Sequence, residues 1–283
     1  MKLEDLLRKI IFFITACITG LDSKEVTMTK NIVGSSLTCS ILSLALASIV
    51  FAQSSKPTIV LVHGAFADGS SWSKVIPVLE KDGYSVIAVQ NPLTSLAADV
   101  ETTKRVIDAQ KGPVVVVGHS YGGAVITAAA AGDSNVKALV YVNAFAPDAG
   151  ENITAGSERF APPALLSALV PDAAGFLYID RAKFRQAFCA DVSEAEARIM
   201  AATQKPLSGT VFKDTVTAAA WKSIPGWYIV GTDDNAINPD FERFLAKRMG
   251  AKTIEIKSSH VSFISHVAEV ARVIEEAARA AAK

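Results

Sequence analysis

Ser120 lies at the centre of Gly118-His119-Ser120-Tyr121-Gly122, a G-x-S-x-G spacing. A serine hydroxyl attacks a carbonyl carbon only when a neighbouring base takes its proton and an acid orients that base. The chain offers four histidines. His63, at the end of "VLVHGAF", and His119, inside the pentapeptide, are too embedded in their turns to swing onto Ser120. His266 follows Ser265, which reads as the N-cap of a last helix, so His266 is expected to be a helix-start residue. His260, in the flexible "KSSHVS", is the best base. For the orienting acid, Asp233 and Asp234 stand side by side in "GTDDN", and an Asp there also suits a turn. Residue type alone does not separate them. Negative charge developing on a carbonyl oxygen needs backbone N–H donors. Tyr121, directly after the serine, supplies one, and the small residues of "HGAFADGSSW" point to Ala65 for the other. Together these residues describe acyl transfer through a covalent serine intermediate.

Such a constellation needs elements that bring distant residues together. Val114 to Val117 favour a strand, and a continuous apolar run suggests one buried on both faces. Ala124 to Ala131 reads as helix, so Ser120 sits at a strand–turn–helix apex, a nucleophile elbow. Segments 58–64, 85–89, 114–117, 138–143, 227–231 and 253–257 read as strands. Segments 70–81, 95–110, 121–131, 240–249 and 265–282 read as helices. This alternation predicts an α/β fold, a mostly parallel sheet of about six strands with helices on both faces. Residues 146–222 separate two strands by far more than a crossover needs. Within them "PALLSALV", "RAKFRQAF" and "SEAEARIMAATQ" look helical, which predicts a small helical cap over the C-terminal strand ends, where open α/β sheets hold ligands. Phe66, Phe145 and Trp221 are candidates for an apolar substrate-binding wall, with Phe160 and Phe188 beside them. Gln204 reads as a helix end or a ligand hydrogen-bonder.

The 283 residues suffice for one large domain, and 28 Lys and Arg balance 28 Asp and Glu. No charge excess points to nucleic acid or an anionic membrane surface. Residues 32–52 form an apolar run ending in Val50-Phe51-Ala52, which fits a secretory signal cleaved after Ala52. The run is nearly long enough to span a membrane, but its Gly and Ser and the polar "QSSKP" after it favour cleavage. A periplasmic or secreted protein with no stable membrane anchor after processing is therefore expected. Residues 1–27 suit a signal poorly, since Glu4 and Asp5 occupy a region that should be positive, and Met28 is the better start. A lipid-attachment box at Ile14-Thr15-Ala16-Cys17 would leave the second apolar run without purpose. The expected division is a leader over 1–52 and a domain over 53–283 that includes the cap. Cys17 and Cys39 would leave with the leader, so Cys189 could form no internal disulfide. Metal-ligand spacing is absent from the Cys and His residues, so neither metal nor other cofactor is expected.

From Thr58 onward the chain resembles an α/β-hydrolase-fold serine hydrolase. "LVHGAFADGSSW", "VVVVGHSYGGAV", "YVNAFAPDAGE", "WYIVGTDDNAINP" and "SSHVSFISH" are similar to the branch holding plant methyl-ester esterases, hydroxynitrile lyases and exported bacterial esterases. The chain order Ser, Asp, His, each after a strand, is the family's. The resemblance implies Asp234 as the acid, the last residue of G-x-x-D, and Ala65 and Tyr121 as oxyanion donors. It also implies a shortened α/β-hydrolase fold, since the usual first two strands have no counterpart before "TIVLVHG". Lyases of this branch carry Thr after the first-strand histidine and Lys after the base, where this chain has Gly64 and Val261. The implied activity is hydrolysis of carboxylic esters of small or apolar molecules. Lyase or perhydrolase chemistry on the same residues is one alternative, and a non-enzymatic small-molecule-binding role is another.

Overall fold

In the computed structural model, which describes residues 56–282, strand follows helix through most of the chain. The strands are β1 (Thr58–Val62), β2 (Val86–Ala88), β3 (Val114–Ser120), β4 (Val136–Ala144), β5 (Leu169–Pro171), β6 (Phe176–Ile179), β7 (Leu207–Ser208), β8 (Gly226–Gly231) and β9 (Lys252–Ile256). The helices are α1 (Ile76–Lys81), α2 (Leu96–Asp108), α3 (Tyr121–Ala129), α4 (Phe184–Phe188), α5 (Glu194–Thr203), α6 (Pro239–Met249), α7 (Ser262–Ser265) and α8 (Val267–Ala281). Six strands form one sheet in the order β2-β1-β3-β4-β8-β9, every neighbouring pair parallel.

β3 lies inside this sheet, with Leu61 opposite Val117 on one side and Val140 opposite Val117 on the other. Helices α2 and α3 pack together over β1 and β3, while α1 and α8 pack together and α8 covers β3, β4 and β8. Covered on both faces, Val114 to Val117 are completely buried, which is why they do not alternate with polar residues. Each such side chain contributes about 1.5–3 kcal/mol relative to exposure. The chain runs from β1 outward to β2 and then back to β3 on β1's other side. That reversal opens a crevice beyond the C-terminal ends of β1 and β3, and both His63 and Ser120 belong to it.

Three local readings need correction. Segment 70–81 is not one helix: a 3₁₀ turn at Gly69–Trp72 is followed by α1, which has Pro77 in its first turn. Proline has no N–H to lose there, so it suits a helix start and not an interior. Ser265 does not cap the last helix. It ends α7 and its hydroxyl donates to Asp191 at 2.7 Å, leaving His266 at the N-cap of α8. The cap carries the helices α4 and α5, and also an antiparallel sheet, β5-β6-β7, that no alternation in so few residues announces. The cap is hydrogen-bonded to the main body where Ser208 N–H donates to Leu93 O at 2.9 Å. The leader expected over 1–52 lies outside the described residues.

Candidate active site

Ser120 has φ 53° and ψ −124°, a conformation that costs a non-glycine residue about 1–3 kcal/mol. It persists because its surroundings are too tight to relax. A Cβ on Gly118 would meet Gly122 O at 2.6 Å, and one on Gly122 would meet Val62 O at 2.6 Å. The turn from β3 into α3 can therefore close only with glycine at both places. This puts Ser120 at the strand end and the Tyr121 N–H at the start of α3, where amide groups lack intrahelical acceptors. The loop after β1 lies against the same serine, since a Cβ on Gly64 would fall 2.7 Å from Ser120 Cβ. Ala65, Ser120 and Tyr121 consequently line one cavity.

Asp234 and His260 meet on the far side of the sheet's C-terminal edge. His260 Nδ1–H donates to Asp234 Oδ2 at 2.6 Å, and both side chains are buried. Asp234 Oδ1 accepts Ala236 N–H at 2.6 Å and Ile237 N–H at 2.9 Å, and Oδ2 also accepts the Asn143 amide at 3.3 Å. Four donors hold that carboxylate in place. Asp233 is exposed, so the structure separates the two acids that the sequence left together. The His260 Nε2 is buried and has no partner among the described residues, leaving a lone pair available. His119 Nε2–H donates to the His260 carbonyl at 2.9 Å, which ties the loop carrying His260 to the residue before Ser120.

The other histidines are structural. Burial holds His119 well below the usual histidine range. Burial likewise lowers His63 to about 4, and the neutral ring donates from Nδ1 to Gly64 O at 2.8 Å while Nε2 accepts Asn91 N–H at 3.0 Å. That pair of bonds fixes the loop that carries Ala65. His266 faces Ser265 and Asp191, away from this cluster. Tyr121 is fixed in turn by its hydroxyl, which donates to the buried Asp99 at 2.7 Å, and burial raises the Asp99 carboxyl.

The cavity measures about 320 Å³ and is walled chiefly by apolar side chains of the cap and the strand ends. Phe66, Phe145, Phe160 and Phe188 are among them. Trp221 is not: its indole N–H donates to Pro147 O at 3.0 Å, and Arg248 and Lys222 lie over its ring. Phe212 and Phe241, which the sequence did not single out, take its place in the wall. Gln204 belongs to the fold, its amide bonding both Ile179 N–H and Ile179 O. Asp234, Glu242 and His260 bring possible ligand atoms within 4.8 Å of one another. Two ligands of a tetrahedral zinc at ~2.0 Å stand roughly 3.3 Å apart. The 2.6 Å separation of His260 and Asp234 is that of a charge-assisted hydrogen bond.

Residues 59–273 match the Alpha/beta hydrolase family. A probable hydrolase, R7, of Phoma sp. is 30% identical over 202 residues, 65% of this chain and 80% of that protein. Methylesterase 2 of Arabidopsis thaliana is 27% identical over 235 residues, 70% of this chain and 86% of that protein. Among solved structures, a pyrethroid hydrolase from Sphingobium faniae JZ-2 superposes with a TM-score of 0.69 at 22% identity, over 79% of this chain and 97% of that one.

Proposed function

The chain belongs to the alpha/beta hydrolase family, and from that premise we propose that it hydrolyses carboxylic esters of apolar molecules through an acyl-Ser120 intermediate. The observation that carries this reading is the buried His260–Asp234 pair, whose remaining imidazole lone pair has no partner among the described residues. In the first half-reaction His260 Nε2 takes the Ser120 proton as Oγ bonds to the ester carbonyl carbon. The carbonyl oxygen becomes negative, and the N–H groups of Ala65 and Tyr121 are its donors. The alkoxy group then leaves with the proton from His260. Water attacks the acyl-serine by the same route in reverse, and the acid product departs. Asp234 keeps the proton of the resting imidazole on Nδ1 and stabilises the imidazolium.

The apolar wall supports uncharged, hydrophobic acyl or alcohol groups as substrates. Ester hydrolysis is favoured over cyanohydrin cleavage by two positions. Gly64 has no room for a side chain against Ser120, and Val261 is buried and carries no cation for a leaving cyanide. The test is turnover of aryl esters by the Ser120→Ala variant, with folding checked by circular dichroism. A loss of at least ~10³-fold is expected. Retained turnover would overturn the reading, and tight binding without turnover in the wild type would make this a binding protein. The leader supports export with cleavage after Ala52, which we propose alongside.

A further inference from the structure

Behind the Asp234 carboxylate lies a second acid that the sequence reading passed over. Glu242 is on the first turn of α6, and its side chain is completely buried. Its Oε2 accepts Gly231 N–H at 3.0 Å, gripping the end of β8 three residues before Asp234. Its Oε1 is buried with no hydrogen-bond partner among the described residues, and a carboxyl oxygen of Glu242 lies within 4.8 Å of one of Asp234.

We propose that Glu242 is a positioning residue for the reaction: as a neutral acid it donates a hydrogen bond from its carboxyl group to Asp234, and so limits how much carboxylate charge faces His260. The inference rests on the reading of His260 as base and Asp234 as its orienting acid.

Two buried carboxyl groups within 4.8 Å of each other cannot both ionise without strong repulsion, so one keeps a proton. Asp234 accepts four N–H donors, from His260, Ala236, Ile237 and Asn143. Glu242 has one donor, the Gly231 backbone N–H. The better-solvated acid is the ionised one, so the proton belongs on Glu242. Burial first, and the charge of Asp234 second, hold the Glu242 carboxyl well above the usual carboxylate range. The helix start favours charge there, but that effect is small beside removal of an under-solvated carboxylate from water. The other titratable groups facing it are His260 and Tyr228, the latter donating its hydroxyl to Ala144 O. No lysine or arginine pairs with it among the described residues.

A donor on Asp234 weakens its pull on the imidazolium. Replacing Glu242 by Met removes the donor, and the acid limb of kcat/KM should move to higher pH by about half a unit or more. Glu242→Gln is neutral and retains an N–H donor, so it should return the limb to its wild-type midpoint. A Gln variant whose limb falls well below wild type would mean that Glu242 is ionised, and would overturn the inference. A folded Met variant with an unmoved limb would do the same. Infrared difference spectra of wild type minus Glu242→Gln at neutral pH provide a check that needs no turnover. They should contain the carbonyl stretch of a protonated carboxylic acid, and its absence overturns this inference alone. Retained turnover in Ser120→Ala, by contrast, overturns the reading beneath it.

Discussion

His260 Nδ1 stands 2.6 Å from Asp234 Oδ2, and neither side chain is more than 1% exposed. At that distance, away from water, the bond is charge-assisted and strong. It also dictates the tautomer. With the proton on Nδ1, Nε2 can only accept, which is the state a general base requires.

Asp234→Asn should lower turnover by about 10³–10⁴-fold, because an amide in this position favours the wrong imidazole tautomer. Asp233→Asn should have little effect, since that side chain is exposed. Steady-state kinetics on both variants decide it, and the reverse pattern would remove Asp234 from the mechanism.

Trp221 tests the boundary of the cavity. Its indole belongs to a packing cluster with Pro147, Arg248 and Lys222 and not to the wall. Trp221→Phe should leave KM for apolar esters unchanged and reduce stability by about 1 kcal/mol through the lost hydrogen bond. Phe145→Ala should raise KM, since Phe145 lines the space beside Ser120. Urea midpoints and KM values together separate the two roles.

Stability should fall in acid through a buried histidine. Burial lowers His63 to about 4 in the folded protein, whereas an unfolded histidine titrates near ~6.5. Between those values the unfolded chain binds a proton that the native state does not, so stability rises with pH there. The contribution is complete above pH ~6.5 and is lost progressively as pH falls towards ~4, at most about 3 kcal/mol. His119, lowered in the same direction, adds to it. Urea denaturation at pH 7 and pH 4.5 should show this loss, and His63→Gln should flatten it. An equal slope in that variant would acquit His63.

Export predicts a mature chain beginning at Gln53. Intact-mass measurement of protein recovered from periplasm or medium should find that N-terminus. Recovery from the cytosol with residues 1–52 attached would rule export out.

Much of the site was legible in the sequence because its signals are local. Four valines followed by glycines around Ser120 require a buried strand and a cramped turn, and each requirement is met within a few consecutive residues. The order of strand and helix segments implies a parallel sheet for the same reason, since crossovers between parallel strands have one sterically favoured hand. The pairing of His260 with Asp234 and not Asp233 was open until a family resemblance, and then the fold, separated them. Neighbouring residues after a strand point in different directions, and only the packed structure says which one meets an imidazole 26 positions away.

Other features have no local signal at all. Glu242 looks like an ordinary first-turn acid in α6, a place where charge at the surface is favourable. Only the stacking of α6 on the end of β8 seals it against Asp234. Trp221 and Phe241 are both aromatic residues in amphipathic surroundings, and which of them borders the cavity depends on how the cap folds back. The sequence alone determined the strand–turn–helix apex at Ser120 and the strand–helix order, since steric rules over a few residues suffice for them. The tertiary structure decided which acid meets the His260 imidazole, which aromatic residues bound the cavity and which carboxyl group stands behind Asp234. Those depend on contacts between segments distant in the chain, and burial, which sets their chemistry, exists only once the segments have packed.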